Sequence, residues 1–205
     1  MTDASLSFIH RLEPATQPTT PPLLLLHGTG GDETDLLPLG RALAPGSALL
    51  SPRGKVLENG MNRFFRRLAE GVFDEADVRR RADELADFVA AAVAAYGLSS
   101  PVAVGYSNGA NIAGAVLLLR PEVLAGAVLL RAMAPLKAPP VADFSGKRVL
   151  ILSGATDPYG PPESAARLAA SLENAGAEVR HEILPAGHEL SPADLAIGKK
   201  WIRQP

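Results

Sequence analysis

Gly105-Tyr106-Ser107-Asn108-Gly109 lies between two apolar segments of different pattern. Residues 102–104, before it, form a short apolar run typical of a buried strand, and residues 110–119, after it, are apolar at most positions, as in a packed helix. Gly-x-Ser-x-Gly between a strand and a helix is the pattern of a nucleophile elbow, a sharp turn from which the serine hydroxyl projects. An ordinary turn is the simpler interpretation of the pentapeptide alone. The flanking segments favour Ser107 as a nucleophile.

Composition limits the class of protein that this chain can be. With 205 residues, of which 47% are hydrophobic and 20% charged, residues 1–205 are expected to form a single globular domain. A formal net charge of −2 gives no general attraction to nucleic acid or to an anionic membrane. The sequence has no cysteine, which excludes disulfides, thiolate metal sites and a cysteine nucleophile.

Two further features bear on location. Met1-Thr2-Asp3 lacks the basic start and the following apolar core of a signal peptide. No apolar run approaches the length of about 18 residues that a membrane span needs. Together with the absence of cysteine, these features predict a cytoplasmic protein without stable membrane insertion.

Strand-like and helix-like segments alternate along the chain. The strand-like segments are residues 6–11, 23–26, 48–50, 102–104, 127–130, 149–152 and 178–184. The helix-like segments are residues 35–43, 75–96, 110–119, 164–175 and a last one that opens at Ser191-Pro192. This alternation predicts an α/β fold with a mostly parallel sheet of about seven strands and helices on both faces.

Residues 51–74 are the least regular part of the sequence. Arginine and phenylalanine interleave there, which can indicate a nucleic-acid surface, but neighbouring carboxylates cancel the charge. We interpret the segment as a short excursion over the top of the sheet, without a large lid, that supplies part of an acyl pocket. The apolar candidates for the wall of that pocket are Met61, Phe64, Phe65, Phe73, Met133 and Leu190. Such side chains lie more often in the core.

Partners for Ser107 are expected beyond the carboxyl ends of the strands, where parallel sheets carry their functional residues. Asp157 follows the strand at 149–152, and His188 follows the strand at 178–184. Each has a simpler interpretation, since Asp157 precedes Pro158 and could start a turn, and His188 could be an ordinary loop histidine. A serine nucleophile, however, needs a base, and the base needs a group that orients it. The order Ser, Asp, His, each just past a strand, therefore predicts a catalytic triad.

A glycine-rich loop, His27-Gly28-Thr29-Gly30-Gly31, follows the strand at 23–26. It lacks the Gly-Lys-Ser/Thr ending of a P-loop and the Gly-x-Gly-x-x-Gly of a dinucleotide site. A flexible turn is the simplest interpretation. With Ser107 available, the loop is instead predicted to present backbone N–H groups to an oxyanion, and His27 is expected to steady the loop. Such chemistry requires no metal and no cofactor.

These motifs together resemble the small phospholipase/carboxylesterase family of α/β hydrolases, most closely its bacterial carboxylesterase subgroup. The resemblance covers residues 26–33, 51–54, 105–110, the Asp157 loop and Gly187-His188. It implies an α/β-hydrolase fold, a triad of Ser107, Asp157 and His188, and oxyanion N–H groups from Thr29 and Asn108. Tyr106 and Asn108 depart from the Gly-Phe-Ser-Gln-Gly of acyl-protein thioesterases and longer-chain esterases. The specificity of those enzymes is therefore not transferred.

The expected function is hydrolysis of small, short-acyl carboxylic esters through an acyl-enzyme intermediate, with a small-molecule ester as the partner. An acyl-thioesterase, a lysophospholipase and a non-catalytic binding protein of the same fold stay open as alternatives, as do a perhydrolase and a peptidase. Arg63 or Arg131 could recognise an acidic group, although a surface ion pair is the simpler role. Relatives are often monomers or two-fold dimers, so a homodimer is also left open.

Overall fold

The computed structural model describes residues 6–17, 20–140 and 143–204. Met1-Thr2-Asp3, considered above, lies outside the described residues. The first elements in chain order are β1 (His10–Glu13), β2 (Leu23–Leu26), α1 (Leu37–Leu43), β3 (Leu49–Pro52), β4 (Val56–Glu58), β5 (Met61–Arg63), β6 (Arg67–Ala69), β7 (Val72–Phe73) and α2 (Glu75–Tyr96). They are followed by β8 (Val102–Tyr106), α3 (Asn108–Leu119), β9 (Gly126–Leu130), β10 (Arg148–Gly154), α4 (Pro162–Asn174), β11 (Glu178–Leu184) and α5 (Pro192–Ile202). Within these ranges, no helix has the length and apolar character needed to cross a membrane.

A central sheet of seven strands runs through the described residues in the order β1-β3-β2-β8-β9-β10-β11. Neighbouring strands are parallel except β1 and β3, which are antiparallel at one edge. Strands β2, β8, β9 and β10 are almost continuous apolar runs because both of their faces are covered. The predicted mostly parallel sheet of about seven strands is confirmed.

Helices cover both faces of this sheet, as predicted. Helices α2, α3 and α4 pack on one face in the larger apolar cluster, and α1 and α5 pack on the other face around Leu43 and Trp201. Helix α2 has the predicted bounds, and Gly97 ends it in the left-handed conformation, with φ +62°. Full burial of a leucine or valine side chain contributes about 1.5–3 kcal/mol, so these two clusters are the main source of stability.

Residues 51–74, expected to be irregular, contain two β-hairpins. Strands β4 and β5 pair around Asn59-Gly60, where φ is +52° and +78°. Positive φ at both residues is what a two-residue type I′ turn requires, and Asn-Gly is its commonest sequence. Strands β6 and β7 pair across Gly71, where φ is +70°. The excursion over the sheet is therefore short, as predicted, but it is more regular than the sequence pattern suggested.

Several predicted boundaries differ from the structure by one to four residues, and two of these differences have a clear local cause. The edge strand begins at His10 rather than at residue 6, because Phe8 turns into the core and packs on Phe88. Helix α1 begins at Leu37 rather than at residue 35. There the Asp32 carboxylate accepts a hydrogen bond of 2.7 Å from the Thr34 N–H, which stabilises a turn ahead of the helix.

A buried ion pair ties the ends of β9 and β10 to the chain that follows β11. Arg131, whose side chain is 0% exposed, donates to both carboxylate oxygens of Asp194 in α5, at 2.7 and 2.9 Å. Its guanidinium also donates to the carbonyl oxygens of Leu152, Gly187 and Glu189. Arg131 is therefore fully engaged inside the protein. The surface ion pair and the acid-binding role considered for it are both wrong.

Asp194 has a pKa that depends on this pair. Burial alone would raise the pKa of Asp194, but hydrogen bonds from Arg131 and Ser191 and the charge of Arg131 outweigh burial and hold it below the ordinary value. A carboxyl whose pKa is lowered by folding stabilises the native state above the unfolded pKa, about 3.9 for aspartate. That contribution is lost as the pH falls through the lower, folded pKa.

We predict that Asp194→Asn lowers the free energy of unfolding by about 3–5 kcal/mol at neutral pH, because the buried guanidinium loses its counter-charge. The difference from wild type should shrink below about pH 4, where Asp194 itself contributes less. Urea unfolding followed by circular dichroism, at neutral pH and again below about pH 4, measures the loss of stability in each condition. The control is Asp83→Asn, at an exposed position on α2. An equal loss at both pH values would contradict the prediction.

Candidate active site

Ser107 occupies the sharp turn between β8 and α3. Its backbone has φ +53° and ψ −116°, a conformation that residues other than glycine rarely adopt. The neighbouring glycines allow it: a Cβ on Gly109 would lie 1.9 Å from the Leu26 carbonyl oxygen, and one on Gly105 would lie 2.5 Å from the Gly109 oxygen. The Ser107 N–H donates to the Leu130 carbonyl at 2.9 Å. The elbow is thus held between β2 and β9.

Asp157 and His188 lie beside Ser107, on loops that follow β10 and β11. The Ser107 hydroxyl is 2.9 Å from His188 Nε2, and His188 Nδ1 is 2.8 Å from Asp157 Oδ2 and 3.0 Å from its Oδ1. The Asp157 carboxylate is buried and also accepts hydrogen bonds from the N–H groups of Tyr159 and Gly160. Because β10 and β11 are adjacent parallel strands, their following loops reach the same edge of the sheet. The structure therefore brings the three predicted side chains into one hydrogen-bonded chain.

This arrangement suits proton transfer from the serine. The buried carboxylate, in contact with Nδ1, favours the tautomer in which that nitrogen carries the proton and Nε2 is free to accept from the hydroxyl. Tyr106 donates its hydroxyl proton to the His188 carbonyl oxygen at 3.1 Å, and its ring lies 5.4 Å from the imidazole, centroid to centroid. The Tyr159 ring packs edge-to-face on the same imidazole, with a centroid distance of 5.1 Å. The imidazole is thus fixed by its backbone and by two aromatic rings.

Thr29 and Asn108 line the same cavity as Ser107. Among the described residues, no acceptor takes a hydrogen bond from the backbone N–H of either one, whereas the N–H groups of Gly30 and Gly31 are used by Asn62 and Gly28. Both N–H groups are therefore available to a bound oxygen. The Asn108 side chain does not compete for that position, because its Oδ1 accepts from the Phe64 N–H at 2.7 Å.

His27 steadies the glycine-rich loop. Its Nδ1 donates to the Gly28 carbonyl at 2.6 Å, and its Nε2 accepts from the Gly54 N–H at 3.0 Å. Burial lowers the pKa of His27, which is consistent with the neutral ring that this pair of hydrogen bonds requires. The ring also packs on Phe64 with a centroid distance of 4.7 Å. His27 therefore connects the loop to the segment that precedes β4.

The two remaining histidines make hydrogen bonds with residues outside the predicted triad. His10 is bonded to Tyr96 at 2.7 Å, and His181 to Ser153 at 2.9 Å. Within the described ranges, no three histidine, aspartate or glutamate side chains are grouped so that they could hold a metal ion.

A cavity of about 350 Å³ opens above Ser107. Of the six side chains proposed for its wall, Met133 and Phe73 line it. Phe64 and Phe65, 2% and 0% exposed, pack in the larger core instead. Leu190 packs on the smaller core, and Met61 lies on β5 with 37% of its surface exposed. None of these four side chains lines the cavity, because three of them pack on the apolar clusters and Met61 lies on the exposed surface of the hairpin.

Sequence reasoning missed several side chains of this cavity. The cavity is also lined by Tyr106, Asn111 and Tyr159. All three are close in the chain to a predicted triad residue: Tyr106 and Asn111 to Ser107, and Tyr159 to Asp157. Asn111 follows Ser107 by four residues, a spacing that places both at the same side of the start of α3. This spacing was the signal available for Asn111.

This chain is similar to known hydrolases. No protein-family model matches it. It is 44% identical over 184 residues to MhqD of Bacillus subtilis (strain 168), whose name describes it as a hydrolase, and the match covers 89% of this chain and 92% of that protein. The Bacillus cereus carboxylesterase structure is 42% identical, with a TM-score of 0.93 over 97% of this chain and 95% of that one. The Mesorhizobium loti carboxylesterase structure is 36% identical, with a TM-score of 0.92 over 100% and 98%.

These similarities extend over nearly the whole length of each protein, so they concern the complete fold rather than one motif. Two of the three relatives carry the name carboxylesterase, and the third is named as a hydrolase. The chain is a hydrolase enzyme and belongs to the phospholipase/carboxylesterase family of the α/β-hydrolase superfamily.

Proposed function

We propose that this enzyme is a serine carboxylesterase that hydrolyses small, short-acyl esters, with Ser107 as nucleophile, His188 as general base and Asp157 as the group that orients it. One observation carries the proposal: the continuous hydrogen-bonded chain from the Ser107 hydroxyl through both nitrogens of His188 to the buried Asp157 carboxylate. Nucleophile, base and orienting group are within bonding reach without any rearrangement. A binding protein would have no use for this arrangement.

The first half of the reaction forms an acyl-enzyme. Ser107 Oγ attacks the ester carbonyl carbon while His188 Nε2 takes the hydroxyl proton. The carbonyl oxygen becomes negative and accepts hydrogen bonds from the backbone N–H groups of Thr29 and Asn108, each contributing about 3 kcal/mol to the transition state. When the intermediate collapses, the carbon–oxygen bond to the alcohol breaks, and the alcohol leaves with the proton from His188.

The second half reverses these roles with water. His188 takes a proton from a water molecule, whose oxygen attacks the acyl carbon. The same two N–H groups stabilise the second oxyanion, and the bond to Ser107 Oγ breaks as His188 returns the proton. The carboxylic acid is released and the serine is restored. Asp157 stays ionised throughout and stabilises the imidazolium that forms in each half.

The dimensions of the cavity support a small substrate. Its volume of about 350 Å³ lies near the lower end of the range for small-molecule sites, about 300–1,000 Å³. Its wall mixes a few apolar side chains, Met133 and Phe73, with several charged or amide groups. A long alkyl chain would find little apolar surface there, so a short acyl group fits better than a lipid.

We predict that Ser107→Ala reduces kcat for 4-nitrophenyl acetate by ~10⁴-fold or more, since the step that forms the acyl-enzyme is lost. Ser145→Ala, at an exposed position, is the matched control and should leave kcat unchanged. Thermal unfolding of both variants should follow that of the wild type. Hydrolysis by the Ser107 variant at a rate close to that of the wild type would rule out this serine as the nucleophile.

Acyl-chain length gives a second test. We predict that kcat/KM for 4-nitrophenyl esters is highest for acetate to butyrate and falls by ~10-fold or more at decanoate, because the longer chain cannot be buried in the cavity. A lysophospholipid, assayed by fatty-acid release, should be a poor substrate for the same reason. A rate that rises with chain length would instead favour the lysophospholipase alternative.

A further inference from the structure

Arg63, at the end of β5, is a buried cation in the wall of the cavity that contains Ser107. Its side chain is only 4% exposed. Its terminal nitrogen Nη1 donates to Thr29 Oγ1 at 2.6 Å, and its Nε donates to the Phe65 carbonyl at 3.2 Å. The second terminal nitrogen, Nη2, donates to no described residue, and it is not among the polar atoms sealed inside the protein. The cavity that Arg63 lines is the space left to it.

The charge of Arg63 is incompletely offset by the protein. The nearest carboxylate, Glu58, is 3.6 Å from Nε, and the same carboxylate lies closer to Arg67, at 2.7 Å. Arg67 also forms an ion pair with Glu70, a second carboxylate, which lines the cavity. Burial lowers the pKa of Arg63 more than these partners raise it. Arg131, by contrast, has Asp194 as a carboxylate partner of its own, whereas Arg63 shares its one nearby carboxylate, Glu58, with Arg67.

A second donor faces the same cavity. Asn111 in α3 has its carbonyl oxygen committed to the Met133 N–H, at 2.7 Å, which fixes the orientation of the amide. Its NH₂ group donates to no described residue and, like Nη2 of Arg63, is not sealed inside the protein. Arg63 and Asn111 thus each present a free hydrogen-bond donor to this cavity, and that of Arg63 is cationic. A carboxylate accepts from such a pair in the way that an arginine–carboxylate contact does.

We propose that Arg63 and Asn111 bind a carboxylate of the substrate, so that the preferred esters carry a free acid group within a few bonds of the ester carbonyl. Arg63 contacts Thr29, whose N–H is a proposed oxyanion donor, which sets this short separation. The inference rests on the proposed function. It names the substrate class of the same site: half-esters of dicarboxylic acids, or acyl esters of hydroxy acids.

The test compares each acid with a neutral ester of the same shape. Monoethyl succinate is paired with ethyl 4-methylpentanoate, and carboxymethyl acetate is paired with isobutyl acetate, with acid release followed by titration. In wild-type enzyme, kcat/KM should favour the acid by roughly 10- to 100-fold in at least one pair, the value of a hydrogen bond to a charged group. No preference for the acid in either pair would overturn the proposal. Hydrolysis of the neutral esters would still support the proposed function, so the two failures are distinct.

Variants then locate the preference. Arg63→Met should reduce the acid-to-neutral ratio to about one, whereas Arg66→Met, which removes the same charge at a neighbouring position 61% exposed, should leave the ratio unchanged. Asn111→Asp keeps the acceptor for the Met133 N–H but puts a negative charge into the cavity, so it should also lower the ratio. The ratio is independent of any general loss of activity, because both esters of a pair need the same oxyanion donors. Retention of the wild-type ratio in a folded Arg63 or Asn111 variant would contradict the assignment.

Discussion

The close approach of α3 to the end of β2 is the constraint on which the site depends. At Gly109 the helix comes so near to the Leu26 carbonyl that a single Cβ would not fit. This contact forces the turn at Ser107 into its unusual backbone conformation. It also sets the start of α3 beside the loop that leaves β2, which contains Thr29. One packing requirement therefore places the proposed nucleophile and both proposed oxyanion donors around the same point.

The remaining members of the site are positioned by neighbouring strands and by the chain that follows them. β10 and β11 deliver Asp157 and His188 to the edge where β8 delivers Ser107. Hydrogen bonds then fix the backbone around His188. Arg131 donates to the carbonyl oxygens of Gly187 and Glu189, and the Tyr106 hydroxyl donates to the carbonyl oxygen of His188 itself. The Arg131–Asp194 pair thus links the stability of the fold to the position of the imidazole.

The topology and the order of the candidate catalytic residues could be predicted from the sequence, because both follow from local patterns. Apolar runs identified the strands of the sheet. The carboxyl ends of parallel strands lie at one edge of the sheet, so the loops that carry Ser107, Asp157 and His188 were expected at that same edge. The wall of the cavity could not be predicted in this way. Whether Arg63 or Phe64 faces the cavity depends on the register of a hairpin, and the partner of Arg131 lies 63 residues further along the chain.

The proposed mechanism depends most directly on an activated hydroxyl at Ser107, and fluorophosphonate labelling measures that activation. Such a reagent phosphonylates a serine whose hydroxyl a neighbouring base has activated. Intact mass and peptide mapping should find one adduct per chain, on Ser107, formed rapidly by the wild type and at least ~10³-fold more slowly by His188→Ala. An adduct at another serine, or equal labelling of the two proteins, would contradict the account.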